Sequence, residues 1–284
     1  MSKAKETVPA KQETGAVADP IQYNDGLENL DDAGDFQITR LRIIQNTTSA
    51  GYELVGNVGV FADPETGESY GKEVEVIPVY IPPKTRARFE INDDGEQVLG
   101  SPPVCKSSNA KWPDTPDTPF PRTKDPDKFP CLSCPEAEFG KRDPKTRKSP
   151  PPRCRLQYNY ALVIVAVEGK ELDPPEGVFF SMQKGSIGAA KAFNTLLTKK
   201  KAGHAIWHKR YRLSHFVKEV STKQGLTKFF CPQFSVAGFS SEEQVAMAEG
   251  LNAVFAANAD KLADMAEGEG NDSFDTDKFE GGAL

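Results

Sequence analysis

Residues 158–167, YNYALVIVAV, are the most apolar run in the chain. An unbroken stretch of this kind, rich in β-branched side chains, is the pattern of a strand buried on both faces. It predicts the central strand of a sheet. Downstream, Val178–Met182 reads as its neighbour, reached through a loop at Pro174-Pro175. Ser186 then caps a helix running to about Lys201, with Ile187, Ala190, Phe193 and Leu197 on one face and Gly203 just past its end. A hairpin follows, with strands over 205–220 and 226–235 joined at Gln224-Gly225. A second helix begins at Ser241, where Glu243 and Gln244 suit a capping arrangement, and points Val245, Ala248, Leu251 and Phe255 inward.

Upstream, short strands separated by turns fill the first hundred residues. FQITRLRII from Phe36 alternates with a two-residue period and places Arg40 and Arg42 on one face. A strand near 52–61 ends in the turn Asp63–Gly67, and another covers 73–81. After Pro82-Pro83 the extended pattern resumes, with Lys84, Arg86 and Arg88 along one side, before a turn at Asn92–Gly95 leads to a strand over 97–99. The fold class expected is mainly β with two or three helices (α+β), a single domain over 36–259. The acidic segments 1–35 and 260–284 are too poor in apolar residues to pack and are expected to be disordered.

Four of the five cysteines lie in an insertion over 105–154, spaced C-x25-C-x2-C-x19-C as Cys105, Cys131, Cys134 and Cys154. The intervening sequence is crowded with proline and charge and cannot bury enough apolar surface to fold unaided. Four thiolates around one structural Zn2+ would tie it down, because Zn–S bonds supply folding free energy without a core. Four protein ligands leave no open position for hydrolytic chemistry. Disulfides or unrelated thiols are the alternative, but the N-terminus has no apolar signal-peptide core and nothing else points to an oxidising compartment. No apolar run is long enough to span a bilayer. The expected location is the cytoplasm, with no membrane partner. Cys231 is expected to be a buried free thiol.

The net charge of -6 divides unevenly. Residues 1–35 carry three basic against eight acidic side chains, and 242–284 carry two against eleven, which leaves an excess of eight positive charges on 36–241. A basic body between acidic ends suits contact with a polyanion, although acidic ends also serve solubility alone. Residues 184–228 are the densest basic stretch, eleven Lys/Arg against Glu219, interleaved with Phe193, Trp207, Tyr211 and Phe216. Distributed cations follow a phosphate backbone and aromatic faces stack on bases, a combination suited to single strands. The expected phosphate contacts are Arg40, Arg42, Lys84, Arg86, Arg88, Lys209, Arg210 and Arg212, and the expected stacking residues are Trp207, Tyr211 and Trp112. A solvated basic face with core aromatics is the bland alternative. His204, His208 and His215 lack the setting for a metal site, there is no Gly-rich phosphate loop, and the carboxylates form no recognisable two-metal set, so no enzyme is expected.

This layout of small barrel, cysteine insertion, basic aromatic face and acidic tail resembles the phage single-stranded-DNA-binding proteins. It is similar to the T-even phage replication type in carrying its zinc within the DNA-binding body, and to bacterial and podovirus versions in its tail. The resemblance implies an OB-fold-like antiparallel barrel that coats single-stranded DNA during replication or recombination. It also implies a tail that screens the groove and recruits replication proteins or RNA polymerase. Three features depart from the pattern. The T-even type has a histidine among its zinc ligands, its basic N-terminal arm is replaced here by an acidic segment, and this tail ends in Gly281-Gly282-Ala283-Leu284, with Phe274 and Phe279 as its aromatics. The alternative of a different class is a zinc-containing transcription accessory factor that docks on RNA polymerase.

Overall fold

A computed structural model describes residues 39–45, 58–64, 66–90, 102–114, 129–142, 144, 149–150, 152–199, 204–222 and 225–257. The two acidic segments, the start of the first predicted strand, most of the predicted 52–61 strand, the Asn92–Gly95 turn and the 97–99 strand lie outside them. Among the described residues the architecture is mainly β, with two α-helices. In chain order the strands are β1 (Thr39–Ile43), β2 (Phe61–Ala62), β3 (Val74–Tyr80), β4 (Thr85–Arg88), β5 (Cys105–Ser107), β6 (Arg155–Val167) and β7 (Lys170–Gln183). Helix α1 (Ile187–Thr198) precedes β8 (Lys209–Thr222) and β9 (Gly225–Phe239), and α2 (Glu242–Ala257) follows.

All nine strands belong to one sheet, in the order β2-β1-β7-β6-β3-β8-β9, with β4 on β6 and β5 on β4. Strand β6 is central, as its apolar run predicts. Its Tyr160, Leu162 and Ile164 face a core shared with α1, while Ala161, Val163 and Val165 face a second core under α2. Its length also lets it serve two partners on the same edge: β3 pairs with residues 161–167 and β4 with 155–157. All the pairings are antiparallel except β1 with β7.

The expected loop at Pro174-Pro175 is corrected. The chain reverses at Glu168-Gly169, both with positive φ (49° and 78°), as a tight two-residue hairpin requires. Both prolines lie inside β7, where its pairing with β6 is interrupted between Ile164 and Ala166. Proline lacks a backbone N–H and is tolerated where the ladder is broken.

The sheet curls into a half-barrel until its ends meet. Beyond β1, the Gln45 amide grips β9 by donating from Nε2 to the Phe230 carbonyl (2.8 Å) and accepting the Phe230 N–H at Oε1 (3.0 Å). Gly59 (φ 84°) lies against the same residue, and a Cβ there would stand 2.6 Å from the Phe230 ring. Under this seam the His215 ring packs between Phe61 and Phe230, with centroids at 6.2 and 5.0 Å.

Helix α1 fills the concave side. Its Phe193 ring stacks on Phe234 at 3.8 Å and meets Tyr160 and Tyr211 at 5.2 Å each. Ser186 makes no side-chain cap; the chain enters α1 through a 3-10 turn over Lys184–Ser186. Helix α2 covers the outer face with Ala248 and Phe255 buried, and Asn252 Nδ2 donates to the Val79 carbonyl (2.7 Å). Its capping box is formed: the Gln244 N–H donates to Ser241 Oγ (3.2 Å) and the Ser241 N–H to Gln244 Oε1 (3.0 Å). No described helix is long and apolar enough to cross a membrane. Because Phe193 is fully buried at the junction of α1, β6, β8 and β9, Phe193→Ala should cost about 3–5 kcal/mol of stability, read as a lower denaturant midpoint.

Candidate nucleic-acid interface

The cysteine segment is built onto the sheet by β4, which lies between β5 and β6. Arg88 pairs with Cys105 and Arg86 with Ser107 on one side, and Arg86 pairs with Leu156 on the other. Residues directly opposite in an antiparallel ladder share a face, so Cys105, Ser107, Arg86 and Arg88 point to the same side. Cys154 immediately precedes β6. The knuckle is two 3-10 turns over Pro130–Leu132 and Pro135–Ala137, with Cys131 inside the first and Cys134 just before the second. Backbone bonds hold it down: the Cys131 N–H donates to the Lys111 carbonyl (3.1 Å) and the Cys154 N–H to the Glu136 carbonyl (2.7 Å).

All five cysteines are free thiols. The four of the insertion lie near enough for the charge on one to act on the others. Burial pushes the thiols of Cys105, Cys131 and Cys154 up, the last to about 12. A hydrogen bond with Ser107 pulls Cys131 down, the Arg86 guanidinium pulls down Cys131 and Cys154, and Arg88 pulls down Cys105. Among the described residues no three His, Cys, Asp or Glu side chains stand ready to hold a metal ion. Cys231 is buried on β9 opposite Phe216, away from this group.

An aromatic edge lies beside the knuckle. Asn109 Oδ1 accepts the N–H groups of Lys111 (2.8 Å) and Trp112 (2.9 Å), which fixes the turn that presents the indole. Trp112 is 49% exposed and meets Phe129 edge to face at 5.7 Å, while Lys111 Nζ stands 5.1 Å from the Phe129 ring. Leu132 and Phe139 are also exposed. Trp112 was among the residues expected to stack; Lys111 and Phe129 were not singled out, although a cation beside an aromatic on each side of the insertion's proline-rich stretch was a visible signal. The whole insertion, 105–154, carries eleven Lys/Arg against seven Asp/Glu.

The other predicted contacts are dispersed. Lys84 is exposed, with Nζ 4.7 Å over the Tyr158 ring, next to the insertion. Arg40 and Arg42 lie on β1, which three strands, β7, β6 and β3, separate from β8 in the sheet order. The basic hairpin face carries acidic partners. Strand β3 pairs with β8, setting Glu75 opposite Arg212. Arg210 bonds Glu171 (2.6 Å) and Glu75 (3.4 Å), and Arg212 bonds Glu73 (3.0 Å) and Glu75 (3.5 Å), so three carboxylates neutralise these two cations. Lys209 Nζ donates to the Lys199 carbonyl at the end of α1 (3.1 Å). Tyr211, 1% exposed, is a core residue against Phe193 and has no free ring face for a base. Trp207 belongs to a 3-10 turn over Ile206–His208, not to a strand, and packs with the core under α2. His204 and His208 meet edge to face at 4.7 Å.

Two of the three comparisons with known proteins are blank: no curated protein and no solved structure matches the chain. The third, against family models, matches the Pam3 phage gp34-like protein over residues 10–261, which takes in every described element. The chain therefore belongs to the Pam3 phage gp34-like protein family.

Proposed function

We propose that this phage-family protein binds and coats single-stranded DNA, and that the contact is made by the edge of the cysteine insertion. The observation that carries the reading is the exposed Trp112–Phe129 pair with Lys111 beside it. Bases stripped of a partner strand stack on aromatic faces for about 1–3 kcal/mol each, and lysine supplies the phosphate contact. Lys84 extends the cationic track toward the sheet. A curled, mainly β body is compatible with an OB-like barrel, an architecture suited to single strands. Arg210, Arg212, Tyr211 and Trp207 have no part in this interface, and binding is non-enzymatic. The acidic tail over 260–284 competes for the cations when DNA is absent and contacts replication proteins or RNA polymerase when displaced.

A structural Zn2+ held by Cys105, Cys131, Cys134 and Cys154 is part of the proposal. The donor set fits: four soft thiols in one region, two of them buried. So does Arg86, whose buried Nε has no hydrogen-bond partner among the described residues and would suit a thiolate sulfur. Bound zinc supplies folding free energy to a proline-rich segment and so fixes the Trp112 turn.

Titrating oligo-dT should quench tryptophan fluorescence, and Trp112→Ala should weaken binding by roughly tenfold or more while abolishing most of the quench. Lys111→Gln should shallow the salt dependence by about 0.7 in log–log slope. Unchanged affinity and quench in Trp112→Ala would move the interface elsewhere. Purified protein should contain about one zinc per chain and Cys131→Ser should release it, as measured by atomic absorption; a metal-free, fully folded protein would remove the zinc centre.

A further inference from the structure

We infer that Arg86 and Arg88 are positioning residues of the four-cysteine centre and not phosphate ligands. The inference rests on the zinc reading above. Four thiolates on one divalent cation leave a double negative charge, and a half-buried anion of that size needs cations or N–H donors around it. Strand β4 delivers two. Arg88 is directly opposite Cys105, and Arg86 opposite Ser107, whose hydroxyl is bonded to Cys131. The two arginines share that face two residues apart, as the strand period demands.

The Arg88 guanidinium is tied to the insertion. Arg88 Nε bonds Glu136 Oε2 at 3.0 Å, and the Glu136 carbonyl accepts the Cys154 N–H, so one residue links the second arginine to the knuckle and to the fourth cysteine. Arg86 has a buried Nε with no partner among the described residues. An orphaned guanidinium N–H is costly to bury, and a metal-bound thiolate is an acceptor that would satisfy it. A phosphate ligand, by contrast, needs its donors turned to solvent.

The test uses the full chain carrying Arg86→Gln, Arg86→Lys or Arg88→Gln. Two readouts are taken: the rate at which a chelator strips zinc, and the salt slope of oligo-dT binding. In Arg86→Gln, zinc loss should be about 10–100-fold faster, with the slope unchanged. Arg86→Lys, which keeps the charge and guards against a variant that fails to fold, should lose zinc more slowly than Arg86→Gln. Wild-type zinc retention in Arg86→Gln and Arg88→Gln, with a slope shallower by about 0.7 per residue, would overturn the inference and return both arginines to the phosphate backbone. Absence of zinc from the wild-type chain would instead remove the metal reading itself.

Discussion

The structure depends on one strand being buried on both faces while holding two different partners along one edge. Residues 161–167 of β6 lie between β3 and β7, with α1 over one face and α2 over the other. Residues 155–157 of the same strand hold β4, and β4 holds β5. The insertion over 105–154 is therefore anchored at its two ends by neighbouring strands. That sets Cys105 on β5 and Cys154 immediately before β6 on either side of β4, across 49 residues of sequence separation.

Much of this was legible in the sequence because the relevant signals are local. YNYALVIVAV announces a doubly buried strand, Phe193 and Leu197 lie on the inward face of the predicted first helix, and Ser241 with Gln244 marks the start of the second. The cysteine spacing singled out Cys105, Cys131, Cys134 and Cys154, and the fold anchors their segment through β4, β5 and β6. What failed was non-local. Nothing in residues 205–220 says that β3 will lie beside β8, yet that pairing sets Glu73 and Glu75 against Arg210 and Arg212. Trp207 and Tyr211 were both expected to stack from a strand over 205–220, whereas a 3-10 turn at Ile206–His208 sends the indole to the α2 side and leaves Tyr211 in the inner core.

Charge is thus divided by function as well as by position. On the β8 face, cations are matched by carboxylates, an arrangement that serves the sheet. On β4, two arginines face thiols. At the insertion's edge, lysine lies over an aromatic ring beside an exposed indole. Density of Lys/Arg along the chain pointed to the hairpin, which also exposes Phe216 and Phe239, but there Arg210 and Arg212 are matched by carboxylates, whereas at the insertion's edge Lys111 lies beside the exposed Trp112–Phe129 pair.

The central claim is that this protein prefers single strands. Its most direct test is equilibrium binding of a labelled oligo-dT strand against duplex DNA of equal length, across a salt series. The account predicts a marked preference for oligo-dT, with affinity falling steeply as salt rises. Equal or stronger binding to the duplex, or no measurable binding to either, would contradict it.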